Sequence, residues 1–139
     1  MNKKIELTLS AGFTSHLLCG TLAVDDAYQV ICYDFSYLEN GRDRSLAGER
    51  QVCPATHERL EKFGALDDFG SLRTRYDGQM DGMPGAILQF VTSGKTINVE
   101  ICGGFIGDQG VTEAEKSVLD FTRYLVRAAH DLFDEETGR

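Results

Sequence analysis

Residues 86–102 contain the pattern that most constrains the fold of this chain. From Ile97 to Ile101, apolar residues alternate with polar ones, which is the period of a strand with one buried face. Residues 86–92 are apolar on both faces, which is typical of an interior strand covered on both sides. Because a short Ser-Gly-Lys turn separates the two halves and Gly94 tolerates a positive φ, the segment predicts a central β-hairpin.

Three earlier segments alternate in the same way and are predicted strands. They cover residues 4–10, 17–24 and 28–37. Short connections between them favour an antiparallel meander, because sequential strands usually pair with one another. On the third strand Tyr33, Phe35 and Tyr37 share one face, and we expect them in the core. Residues 72–76 are predicted to add a short strand.

Two segments have the apolar spacing of amphipathic helices. The first is predicted to begin with Thr56 as its N-cap and to have an apolar stripe of Leu60, Phe63 and, if the helix extends that far, Leu66. The second begins at Thr112-Glu113-Ala114-Glu115, which matches a capping box. Its apolar stripe ends near Phe133, and we expect residues 134–139 to form a polar tail.

Together these elements predict a single α+β domain over residues 1–139. We expect one antiparallel sheet of five to six strands, with two helices packed mainly on one face. A chain of 139 residues has the length of one domain. Residues 39–51 are polar and turn-prone, so they are predicted to be an exposed loop, and residues 77–85 and 103–110 are glycine-rich loops.

The charge balance limits the partners that the chain can bind. The sequence has 14 Lys and Arg residues against 22 Asp and Glu residues, a net charge of −8. A negative surplus disfavours nucleic acid and anionic membranes and permits a basic protein as partner. No apolar run approaches the ~20 residues of a membrane helix, and the N-terminus has no apolar leader segment, so we expect a cytoplasmic protein.

The motifs that could bind a metal ion or support catalysis are incomplete. Asp77 and Asp81 begin a segment that resembles a calcium loop, but the carboxylate needed at its twelfth position falls on Leu88. His57 and Glu61 could share a metal and have no third ligand in the pattern. We therefore predict no catalytic residue, no metal site and no cofactor.

The cysteines have no metal-binding or catalytic spacing. No Cys-x-x-Cys pair occurs among the four, Cys19, Cys32, Cys53 and Cys102. We expect reduced thiols, with a disulfide pair as the alternative. A nucleophile built from Cys53 and His57 would lack a third group to orient the histidine.

The stretch Ile87-Leu88-Gln89-Phe90-x-x-x-Gly94-x-x-Ile97-x-Val99-Glu100, followed by a long closing helix, resembles small cytoplasmic immunity proteins of bacterial toxin systems. The resemblance covers the second half of the chain at the level of pattern. It implies a non-catalytic inhibitor domain that neutralises a toxin, with an acidic surface meeting a basic protein. The same outline would also suit a small protease inhibitor or a phage-encoded anti-defence protein.

The candidate partner-binding residues come from the predicted loops, because loops on a rigid sheet are where binding residues gather. They are Asp43, Glu49, Asp77 and Asp81.

Two other functions stay open. A small-molecule- or phosphate-binding domain, or an enzyme, would use backbone N–H groups of Gly103, Gly104 and Gly107, which lie between a strand and a helix. A structural subunit would oligomerise through a sheet edge. The chain is therefore expected to be a monomer or a homodimer.

Overall fold

The computed structural model describes residues 3–10, 18–66, 69, 72–77, 85–92, 94–102 and 111–138. These residues form one sheet and two helices, which confirms the predicted α+β class. The strands are β1 (Lys3–Ser10), β2 (Leu18–Asp25), β3 (Val30–Glu39), β4 (Arg42–Gln51), β5 (Arg75–Asp77), β6 (Gly85–Thr92) and β7 (Lys95–Cys102). The helices are α1 (Pro54–Gly64) and α2 (Glu113–Thr137).

The sheet has seven strands in the order β4-β3-β2-β1-β6-β7-β5. All neighbouring pairs are antiparallel except β5 and β7, which are parallel. The prediction of five to six antiparallel strands is therefore wrong in the number of strands and in the direction of one edge strand. β5 has only three residues, and it joins the sheet beside β7 rather than beside β6, the strand that follows it in sequence.

Strand β4 occupies most of the segment that was predicted to be an exposed loop. Asn40 and Gly41 make a two-residue turn with φ values of 52° and 75°. Positive φ at both positions is the signature of the turn whose twist matches paired antiparallel strands. β4 then pairs with β3 along its whole length. An edge strand has little surface to bury, so its polar composition resembles that of a loop.

The two helices pack on the same face of the sheet. On that face β1 contributes Ile5 and Leu7, which lie in register with buried residues of β2 and β6. The rings of Phe63 from α1 and Phe121 from α2 stack, with centroids 3.9 Å apart and planes at 3°. Phe63 also meets Phe90 of β6 edge-on at 5.1 Å. The core therefore contains an aromatic cluster between both helices and the middle of the sheet, surrounded by buried aliphatic side chains.

The C-terminal end of α2 packs over β3 and extends further than predicted. Tyr33 and Phe35 are buried as expected. Tyr37 is half-buried, and its ring centroid lies 4.8 Å from that of Phe133. The helix continues through the residues expected to form a tail and ends at Thr137. Arg50 of β4 forms ion pairs with Glu135 and Glu136, and these attach the last turn of the helix to the sheet.

Candidate functional site

The face of the sheet opposite the helices is not packed against any element in the described part of the chain. Ile87 lies near its middle on β6, and 41% of its surface is exposed. The prediction that β6 is covered on both faces is therefore wrong. The neighbours of Ile87 across the ladder are polar, Thr8 on β1 and Glu100 on β7. An apolar residue in a strand reads the same whether or not a second layer covers it, so the sequence could not distinguish the two cases.

Carboxylates outnumber cations on this uncovered face. Strand register places on it the side chains of Glu6, Asp34, Asp43, Glu49, Asp77 and Glu100. Arg75 lies on the same face, beside Glu100 in the ladder, and offsets part of the charge near β5. Lys4 lies at the irregular start of β1. We call this surface, with Ile87 at its centre, the acidic face.

The candidate partner-binding residues divide between the two ends of the acidic face. Asp43 and Glu49 are exposed on β4, and Asp77 is exposed on β5. These strands are the opposite edges of the sheet. Six interstrand spacings of about 4.8 Å lie between them, so the two edges are roughly 29 Å apart. The fold thus places the three residues on one face without forming a single cluster. Asp81 lies outside the described residues.

Sequence reasoning missed the carboxylates that lie between the two edges. Glu6, Asp34 and Glu100 are the polar members of alternating strands, whose apolar members fill the core. The signal was present in the alternation itself, because the polar residues of one-side-buried strands must share the opposite face. The acidic face therefore follows from the strand pattern as much as from the loops.

The phosphate-binding alternative falls beyond the described part of the chain, because Gly103, Gly104 and Gly107 all lie outside it. The helix that follows begins as predicted. The Thr112 hydroxyl accepts from the Glu115 N–H at 3.2 Å, and Glu115 Oε1 accepts from the Thr112 N–H at 2.9 Å. The capping box is thereby confirmed.

The Glu115 carboxylate also connects α2 to the segment around β5. It is buried, and its Oε2 accepts from the Tyr76 hydroxyl at 2.6 Å and from Arg73 Nε at 3.0 Å. The hydrogen bond from Tyr76, followed by those from the Thr112 N–H and Arg73, lowers the pKa of Glu115 from 4.5 to about 2. A carboxylate with donors on both oxygens is held in its charged form, so its role is to bind the two elements together.

A groove of about 340 Å³ lies between the end of β4, the start of α1 and the C-terminal half of α2. Cys53 lies in it as the N-cap of α1, so the prediction of Thr56 as N-cap is wrong. Pro54 at the first helical position moves the start of the helix, because its fixed φ suits that position. Cys53 Sγ is 3.2 Å from Thr56 Oγ1, which is 2.9 Å from the Tyr124 hydroxyl.

Hydrogen bonding from Thr56, by its hydroxyl and then its backbone N–H, lowers the pKa of the Cys53 thiol. His57 does not contribute to this activation, because its ring nitrogens contact other groups. One lies 2.8 Å from the Tyr28 carbonyl oxygen, and the other contacts the Glu61 carboxylate. The Cys53–His57 nucleophile considered from the sequence is therefore not formed.

We expect Cys53 to react before the other cysteines with iodoacetamide at neutral pH. It is exposed and its pKa is lowered, whereas burial, with the neighbouring Glu49 or Glu100, raises the pKa of Cys32 and Cys102. Timed alkylation followed by peptide mass mapping measures the four rates. The Thr56→Val variant should slow the alkylation of Cys53 alone. Equal alkylation rates at all four thiols would contradict the activation of Cys53.

Within the described ranges, no group of three or more His, Cys, Asp or Glu side chains is placed to hold a metal ion. None of the helices described is long and apolar enough to cross a membrane. No family model matches the sequence, and no curated protein matches it either. The acidic face and the Cys53 groove are two surfaces of the described residues whose chemistry bears on function.

Proposed function

We propose that the protein is a non-catalytic, immunity-protein-like inhibitor domain that binds a basic protein partner through the acidic face. The observation that supports this most strongly is the exposure of Ile87, with Thr8 and Glu100 beside it in the ladder, on a surface that no described element covers. Protein interfaces commonly combine a desolvated apolar centre with a polar rim. The acidic face has this composition, with Ile87 at its centre and Asp43, Glu49 and Asp77 near its ends.

The charges and the apolar centre would act at different stages of binding. The net charge of −8 attracts a basic partner before contact, and salt screens this attraction over a Debye length of ~8 Å at physiological ionic strength. Ile87 contributes only after contact, when its exposed surface leaves water. Charge on the face therefore sets mainly the association rate, and burial of Ile87 sets mainly the dissociation rate.

The double variant Asp43→Asn/Glu49→Gln is expected to slow association by about tenfold at low salt, with dissociation changing much less. Surface-based binding kinetics measure both rates against the basic protein that copurifies from the native host. Thermal stability should hardly change, because exposed carboxylates contribute little to folding.

A matched control removes the same charge from the helix side. Glu58→Gln/Asp134→Asn neutralises two exposed carboxylates on α1 and α2, so it changes the net charge equally and leaves the acidic face intact. It should slow association far less. Equal slowing by both variants, or an association rate independent of salt, would contradict binding through the acidic face.

The proposed compartment is the cytoplasm. None of the four cysteines, all of which lie in the described residues, forms a disulfide bond, and three of them are only partly exposed. Free thiols persist where glutathione and thioredoxin keep the compartment reducing, which supports a cytoplasmic site of action. The experiment is thiol titration of denatured, unreduced protein, in which four free thiols are expected and two would point to an oxidising compartment.

A further inference from the structure

The outer edge of β4 carries unpaired main-chain groups along a strand of ten residues. β3 pairs with one side of β4, and no described strand lies on the other. The two-residue turn makes Glu39 and Arg42 the closing hydrogen-bonded pair, so alternate residues from Arg42 onward turn their main-chain groups toward β3. The outward groups are therefore those of Asp43, Ser45, Ala47, Glu49 and Gln51.

This edge is an intact template for another strand. Proteins usually close an exposed edge with a proline, a bulge, a very short strand or charged side chains, and of these β4 has only the charged side chains. β4 contains no proline, and its register with β3 is continuous from Val30↔Gln51 to Glu39↔Arg42. Its main chain can thus accept a partner strand over most of its length.

The charges of β4 have opposite signs on its two faces. Register with β3 places Asp43 and Glu49 on the acidic face and Arg42, Arg44 and Arg50 on the helix side. Arg50 is already paired with carboxylates of α2, while Arg42 and Arg44 are exposed. An incoming strand therefore meets negative charge on one side and positive charge on the other.

In the two longest registers, this pattern works against a second copy of the chain as the occupant. Two β4 strands paired across a twofold axis keep their faces continuous, so residues of the same face meet. With the axis at Leu46, Asp43 faces Glu49, and with the axis at Ala47, Arg44 faces Arg50. Like charges directly opposite one another destabilise a strand pair. The edge therefore disfavours the oligomerising-subunit alternative in these two registers, which pair the most residues of β4.

We propose that β4 is a strand-addition site for an extended segment of the partner protein. The segment pairs antiparallel with β4, with basic side chains opposite Asp43 and Glu49 and an acidic side chain opposite Arg44. Main-chain hydrogen bonds supply affinity, and the alternating side chains supply specificity. The inference rests on the proposed function, because the basic side chains of the added strand extend the partner's contact with the acidic face.

A synthetic peptide as long as β4, which has 10 residues, tests the pairing directly. The peptide Thr-Val-Lys-Thr-Val-Val-Thr-Glu-Lys-Thr, lying antiparallel to β4, places its lysines opposite Glu49 and Asp43 and its glutamate opposite Arg44. Fluorescence anisotropy of the labelled peptide with the full chain measures binding. Exchanging lysine and glutamate in the peptide should weaken binding by about tenfold or more, because three attractive pairs become repulsive.

Backbone methylation separates strand pairing from simple charge attraction. N-methyl groups on the peptide residues opposite Ala47 and Glu49 remove hydrogens that point at β4, and they should abolish binding. The same groups on the residues opposite Leu46 and Gly48 point away from β4 and should leave binding nearly unchanged. Equal effects of the two methylation patterns, or no binding of the parent peptide, would overturn strand addition.

The Ala47→Pro variant tests the same edge from the protein side. It removes an outward N–H and no bond to β3, a position where edge strands tolerate proline. Peptide binding should fall by at least about tenfold, while Ala47→Val, which keeps the N–H, should bind as the original chain does. Full binding by Ala47→Pro would overturn the inference. Asp77 lies on β5, at the edge of the sheet opposite β4. The effect of Asp77→Asn on the rate of partner association therefore tests the acidic face separately from strand addition.

Discussion

Replacement of Phe121 by alanine is expected to lower the free energy of unfolding by about 3–5 kcal/mol. The Phe121 side chain is buried, and its ring stacks on Phe63 at the point where α1, α2 and β6 meet. Truncation removes apolar contacts and leaves a cavity that the surrounding packed side chains fill only in part. The loss is large because two helices depend on the same aromatic contact.

Urea unfolding followed by circular dichroism measures this loss. His130→Ala, at an exposed position on the same helix, is the matched control and should change stability by no more than about 0.5 kcal/mol. A loss of less than about 1 kcal/mol for Phe121→Ala would mean that α2 packs through another face.

The Glu115→Gln variant is expected to lose about 2–3 kcal/mol of stability at neutral pH. The Glu115 carboxylate accepts hydrogen bonds from Tyr76, Arg73 and the Thr112 N–H. A glutamine has one accepting oxygen, and its amide group would oppose one of these donors. Part of a buried hydrogen-bond network is then left unsatisfied, which costs more than the bond itself contributes.

The same variant should change the response to acid. Because the pKa of Glu115 is lowered from 4.5 to about 2 in the folded chain, its ionised form stabilises the fold. This contribution is complete above about pH 4.5 and is lost as the pH falls toward about 2. The stability difference between the original chain and Glu115→Gln should therefore shrink over this interval.

The midpoints of urea unfolding, determined for both chains between pH 7 and pH 2, measure how far their stability difference shrinks. Glu113→Gln makes the same charge change in the first turn of α2 at an exposed position, so its pH dependence should follow that of the original chain. Stability curves of Glu115→Gln and the original chain that stay parallel down to pH 2 would contradict the assigned role of the carboxylate.

Features that depend on neighbouring residues in the chain were predicted from the sequence. Strands β1, β2, β3, β6 and β7 correspond to predicted segments because the alternation of side chains is a local property of a strand. The start of α2 was predicted because a capping box is a contact between residues three apart, Thr112 and Glu115. The Asn40-Gly41 turn was an equally local signal, and it was read as part of a loop.

Features that depend on distant partners were decided only by the tertiary structure. β4 is a strand because β3 pairs with it, and its own polar residues bury too little surface to indicate one. Glu115 was predicted only as a cap, and its contacts with Arg73 and Tyr76 come from a segment 39 to 42 residues away. Ile87 is exposed because both helices pack on the other face of the sheet. The period of a strand shows which residues share a face, and the packing of distant elements decides which face is covered.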